Sequence, residues 1–123
     1  MINIDTNIIV RLFLADDENQ YKKAKDIFNQ NCNFFISSFV LLEFVWVLKT
    51  KKYSRQEIYN AVSTLIELSN ITIGQKDLVV KALGLYKKGN ADFSDYMIFE
   101  DGICNGFTEF KTFDKTLSKE ITQ

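Results

Sequence analysis

Four acidic side chains in this sequence occupy settings that call for a charge partner. Glu43 is the only charge between Phe39 and Leu48, an apolar run without polar alternation. Such a run should be buried on most sides, whether helix or strand, and a carboxylate there would lose its hydration and need a cation, a metal or a proton. Asp5 follows Met-Ile-Asn-Ile, Asp95 precedes Tyr-Met-Ile-Phe, and Asp114 follows Phe-Lys-Thr-Phe. Gathered in one place, the four would hold a divalent cation. An all-oxygen donor set, in a chain with no histidine and no C-x-x-C pair, suits Mg²⁺ or Mn²⁺ and argues against zinc.

Carboxylates holding such an ion at the edge of an α/β sheet are equipment for phosphodiester cleavage, in which the metal activates water and neutralises the scissile phosphate. General-base work would fall to a carboxylate or to water held by the metal. The absence of histidine excludes Ser-His-Asp and Cys-His nucleophiles and a ribonuclease of the paired-histidine type. No glycine-rich phosphate loop is present. Each aspartate also has a plainer role. Asp5 fits an Asx turn, or Thr6 the cap of the next helix. Asp92 and Asp95 form a D-x-x-D pair that favours the dipole of a first helical turn, and Asp114 fits the cap of the last helix. Glu43 lies too deep for capping, which leaves a narrow solvent-facing stripe or a pair with Lys49 or Lys52 as its plain alternative.

The elements that must position these groups are read from periodicity and punctuation. Met1–Ile4 is a strand, Ile8–Leu14 begins a helix, and Asp16–Asn19 breaks it. Tyr21, Ala24, Ile27 and Phe28 lie at helical spacing in a helix over Tyr21–Asn29. Phe34–Ile36 is a buried strand, and Ser37-Ser38 can cap the helix that carries Glu43 to Thr50. Ser54-x-x-Glu57 is a capping box opening another helix, with Ile58, Val62, Leu65 and Ile66 on one face. Ile71–Ile73 is a strand and Lys76–Tyr86 a helix. Asp92 caps a helix with Tyr96, Met97, Phe99 and Ile103 inward, Phe107–Phe113 is a strand, and Lys115–Ile121 is a short helix. Alternating strands and helices predict an α/β fold with a central, mostly parallel sheet. Ligands of open sheets bind beyond the carboxyl ends of the strands, where this reading places Asp5 and Asp114.

The 123 residues suffice for one domain over 1–123, and 46% hydrophobic content with eleven phenylalanines supplies a core. A net charge of −1 gives no global field for nucleic acid, although a local basic patch can coexist with an acidic site. Cys32 and Cys104 read as reduced, partly buried thiols. The first residues lack the basic start of a signal peptide, and the apolar run at 39–48 is shorter than the ~20 residues a membrane span needs. The expected location is the cytoplasm.

In this order, Ile4-Asp-Thr-Asn-Ile-Ile-Val-Arg-Leu-Phe13, Ile36-Ser-Ser with Leu42-Glu43, Ala91-Asp-Phe-Ser-Asp-Tyr-Met-Ile98 and Thr112-Phe-Asp-Lys115 resemble the PIN-domain ribonucleases. The likeness is greatest to the VapC-type toxins of type II toxin–antitoxin systems. It implies a PIN-like three-layer α/β/α fold and a Mg²⁺- or Mn²⁺-dependent endoribonuclease. By position, Asp5, Glu43 and Asp95 would be its core metal-binding acids and Asp114 the fourth. Asp92 would support them, and Thr6, Asn7 and Thr112 would orient the carboxylates by hydrogen bonds. The resemblance also implies a homodimer, a cognate antitoxin that blocks the site, and structured RNA such as tRNA or rRNA as target.

Lys49, Lys51, Lys52 and Arg55 form the best local basic cluster, suited either to RNA phosphates or to the negative end of a helix. Arg11 suits phosphate, the antitoxin or a surface salt bridge. Among rivals, a haloacid-dehalogenase-like phosphatase needs an acid where Asn7 stands, and a response receiver needs an aspartate after a middle strand. A non-catalytic PIN-fold binding module and an RNA-processing PIN nuclease outside toxin–antitoxin systems both remain compatible with these residues.

Overall fold

Side-chain caps set most of the helix starts. In a computed structural model, which describes residues 1–121, α1 (Thr6–Leu14) begins after Asp5, α2 (Glu18–Phe28) after Asp17, and α3 (Ser38–Thr50) after Ser37. Each of these three caps accepts a backbone N–H from the first turn, which satisfies one of the donors a helix start leaves unpaired. Before α4 (Arg55–Glu67) the capping box forms in both directions: the Glu57 N–H donates to Ser54 Oγ at 3.1 Å, and the Ser54 N–H donates to the Glu57 carboxylate at 3.0 Å.

The backbone parts into two compact units, Met1–Gln75 and Lys76–Gln123. The first contains the sheet. β1 (Ile2–Asn3), β2 (Phe34–Ile36) and β3 (Ile71–Ile73) lie in the order β1-β2-β3, all parallel, with Ile2 opposite Phe34 and Ile36 opposite Ile73. Parallel neighbours need crossover connections, and α1 with α2, then α3 with α4, supply them. Phe34 and Ile36 on the central strand are wholly buried, as are Leu41, Phe44 and Leu48 of α3 and Val62 of α4.

In the second unit α5 (Lys76–Lys88) packs on α6 (Phe93–Cys104). Tyr86 and Phe93 meet edge to face with ring centroids 6.0 Å apart. Leu117 anchors the short α7 (Lys115–Ile121) in the interior.

Three expectations need correction. Phe107–Phe113 forms no strand: Phe107 and Phe110 instead fold back onto Phe99, at 5.6 and 5.4 Å between ring centroids, so aromatic stacking replaces a ladder. Ile103 does not point inward, because it lies at the end of α6 and is 44% exposed. Cys104, just beyond it, is exposed, while Cys32 is half-buried as expected. Among the described residues no helix is long and apolar enough to cross a membrane.

Candidate functional site

The first unit positions two of the acids. Ile4 is held to the sheet by its N–H, which donates to the Phe35 carbonyl at 2.9 Å, so Asp5 emerges at the carboxyl end of β1. Its extended backbone and carboxylate make it the N-cap of α1, with Oδ1 accepting the Thr6 N–H at 2.8 Å. Asp5 is thus the cap that the sequence offered to Thr6, and it bonds the next residue's N–H instead of reaching two residues on as an Asx turn does; its carboxylate is exposed. Thr6 is 5% exposed, yet its hydroxyl has no hydrogen-bond partner among the described residues. A buried hydroxyl without a partner forgoes about 1–3 kcal/mol, and this one adjoins a carboxylate with an oxygen to spare. That local arrangement suits a hydrated cation. Asn7 is exposed on the next position of α1.

Glu43 departs from expectation: it is exposed. The reason is that α3 is covered on one side only. Leu41, Phe44, Val45 and Leu48 are buried, while Phe39 and Trp46, one turn before and after Glu43, are 72% and 66% exposed. An apolar composition all round the helix does not mean burial all round, and Glu43 lies on the open stripe that was its plainer alternative. It keeps its hydration.

Sequence reasoning missed a second feature of this edge. Ser38 is 5% exposed, and its hydroxyl donates to Gln75 Oε1 at 2.7 Å, tying the residues that follow β2 to those that follow β3. Ser38 was visible only as a capping candidate, and nothing in the sequence marks Gln75.

The second unit positions the remaining acids. Asp92 is the N-cap of α6, and its N–H donates to Asp95 Oδ2 at 3.2 Å in the manner of a capping box. Asp95 is half-buried and Asp92 exposed. Asp114 does not end a strand, because none forms there; it starts α7, its Oδ1 accepting the Leu117 N–H at 2.8 Å. Thr112 Oγ1 accepts the Asp114 N–H at 3.0 Å, so it fixes that residue through its backbone and not through its carboxylate.

The loop ahead of Asp92 is latched from α7. The buried Tyr96 hydroxyl donates to Glu120 Oε2 at 2.5 Å and accepts the Ala91 N–H at 3.0 Å, while Glu120 Oε1 accepts the Asn90 N–H at 2.7 Å. Gly89 is required by this closeness, since a Cβ there would lie 2.0 Å from the Tyr96 oxygen. Partners this distant in sequence leave no local signal. Glu100 was also missed, although the argument used for Glu43 applies to it better: it follows Tyr-Met-Ile-Phe and is only 9% exposed.

Arg11 makes the surface salt bridge, with Asp16 at 3.2 Å. Among the described residues no three His, Cys, Asp or Glu side chains stand close enough together to hold a metal ion. The donor chemistry fits Mg²⁺ or Mn²⁺, with Asp5 and its neighbouring hydroxyl as the best-prepared portion.

A family model described as the PIN domain matches residues 2–119. Among solved structures, the chain is similar to the Mycobacterium tuberculosis toxin VapC20, described as cleaving the sarcin–ricin loop. The two are 19% identical, with a TM-score of 0.49 over 98% of this chain and 95% of that one. No curated protein matches the sequence.

Proposed function

The chain belongs to the PIN-domain family, and on that premise we propose that it is a metal-dependent endoribonuclease, the VapC-type toxin of a toxin–antitoxin pair, cutting tRNA or rRNA in the cytoplasm. The observation that carries this reading is a single family match running from residue 2 to residue 119, which takes in all four candidate acids and supports treating both units as one domain. Asp5, Glu43, Asp95 and Asp114 are the residues proposed to hold Mg²⁺ or Mn²⁺. When bound, the ion supplies Lewis acidity to water and to the phosphate.

The chain's own contribution is position and access. Asp5 keeps one oxygen free while its other carboxylate oxygen fixes the start of α1. The exposed Glu43 offers a hydrated carboxylate to an incoming cation. Asp95 is steadied by the Asp92 N–H, and Thr112 fixes the backbone at Asp114. Thr6 and Asn7 are supporting residues beside Asp5. A cognate antitoxin and a second copy of the chain are the proposed protein partners. A second reading, a PIN-fold binding module without catalysis, draws on the exposed Phe39 and Trp46 that flank Glu43, since uncovered aromatic surface suits a protein partner.

The test is incubation of purified protein with total tRNA and rRNA in Mg²⁺, in Mn²⁺ and in EDTA, beside Asp5→Asn and Glu43→Gln. The expected result is metal-dependent cleavage that both variants lose by more than the roughly 10–100-fold typical of removing a mere supporting partner. Cleavage persisting in both variants overturns the site. Binding to RNA without cleavage favours the non-catalytic module.

A further inference from the structure

The turn that ends α3 contains a backbone anomaly with a charge attached. Lys52 has φ 65°, in the left-handed region. The turn is a Schellman motif: the Tyr53 N–H donates to the Leu48 carbonyl at 3.1 Å and the Lys52 N–H to the Lys49 carbonyl at 3.0 Å. Glycine serves that left-handed position best, because any Cβ is strained there. Ala15 and Gln75 also lie in that region, at φ 50° and 52°, and what sets Lys52 apart from them is the charge on its side chain.

That side chain is uncommitted. Lys51 and Lys52 are both exposed, and neither has a carboxylate partner among the described residues. They line a recess of about 400 Å³ with Leu14, Asp16, Tyr53 and Glu57. Its two acids are already engaged, Asp16 with Arg11 at 3.2 Å and Glu57 with the Ser54 N–H at 3.0 Å. Neither carboxylate stands within salt-bridge distance of Lys51 or Lys52, so neither ties them down. Both lysines also lie at the negative end of α3, which they share with Lys49 in its last turn.

We propose that Lys51 and Lys52 form a phosphate-contacting turn that grips the RNA backbone outside the four-acid site. The proposal rests on the ribonuclease reading and names where that substrate is held. Contacts of this kind add affinity and register without reading sequence, and each gives the binding constant a salt dependence.

The test is binding of total tRNA in EDTA, where cleavage is suppressed, titrated from about 50 to 300 mM NaCl. The unaltered protein is compared with Lys51→Gln, Lys52→Gly and the double variant. The expected result is weaker binding at low salt in each variant. In the double variant the slope of log affinity against log salt should shrink by about 1.4–1.8, the value of two phosphate contacts. Lys52→Gly should also leave the thermal midpoint unchanged or raised, because it relieves the left-handed strain; weaker binding by a more stable protein is not a folding defect. An unchanged slope in a protein that still binds and cuts RNA overturns the turn's role and leaves the ribonuclease standing. Neither binding nor cleavage by the unaltered protein, on any RNA tried, overturns both.

Discussion

Replacing Tyr96 by Phe removes a single oxygen from the unit formed by α5, α6 and α7. Tyr96 is 1% exposed, so no solvent stands ready to replace that oxygen. The Ala91 N–H, on a residue 4% exposed, loses a 3.0 Å acceptor, and Glu120 loses a 2.5 Å donor while keeping the Asn90 N–H. Depriving a buried donor of its acceptor costs about 1–3 kcal/mol, and the hydrogen bond to a carboxylate adds to that. Glu120 is half-buried and recovers part of its loss from water. A net destabilisation of about 2 kcal/mol follows, which for a chain of this size lowers the thermal midpoint by roughly 6–10 °C. Thermal unfolding followed by circular dichroism would be run on wild type, Tyr96→Phe, Glu120→Ala and the double variant. Because the two side chains share one bond, the double variant should lose less than the sum of the single losses, with a coupling of about 0.5–3 kcal/mol. A Tyr96→Phe protein that melts with wild type, or strict additivity, would refute the latch.

Two further outcomes test other portions of the structure. The Glu57 carboxyl titrates below its ordinary value, chiefly through the Ser54 backbone N–H and then the Ser54 hydroxyl. A carboxyl depressed by folding stabilises above its unfolded pKa and stops doing so as pH falls through the folded one. The melting advantage of wild type over Glu57→Gln should therefore be present near neutrality and vanish on acidification below about pH 4.5; an advantage unchanged at pH 3 would contradict the capping box. Phe39→Gln and Trp46→Gln should each alter unfolding free energy in urea by no more than about 0.5 kcal/mol, as for surface positions. A loss above about 2 kcal/mol would mean that the α3 stripe is covered in the folded molecule.

Sequence reasoning succeeded where the determinants are local. The Ser54-x-x-Glu57 box, the strands at Phe34–Ile36 and Ile71–Ile73, and the starts of α3, α6 and α7 all depend on residues within a few positions of one another. It failed where the determinant is tertiary. Phe107–Phe113 has strand composition, but its phenylalanines find Phe99 instead of a neighbouring strand. For Glu43, composition reported an apolar helix and could not say that neighbours cover only one side of it. Asp114 was legible as a cap and its capping bond is present, whereas Asp5, read as a turn former beside a Thr6 cap, is itself the cap of α1. A bonded cap and a metal ligand are compatible roles, because each carboxylate has a second oxygen. The Tyr96–Glu120 latch and the Ser38–Gln75 tie depend on contacts between distant segments, for which a single sequence holds no signal.

The order β1-β2-β3 has a consequence for how the chain is made. Strands that neighbour each other in the sheet also follow each other along the polypeptide, so a ribosome delivers them in the order in which they pair. No strand must wait for a later segment to be inserted between two earlier ones, and the central β2 gains its first partner as soon as it emerges. By Gln75 the nascent chain already holds every described strand and the Ser38–Gln75 tie. The sheet and the edge bearing Asp5 can thus be finished while the residues that supply Asp95 and Asp114 are still being synthesised.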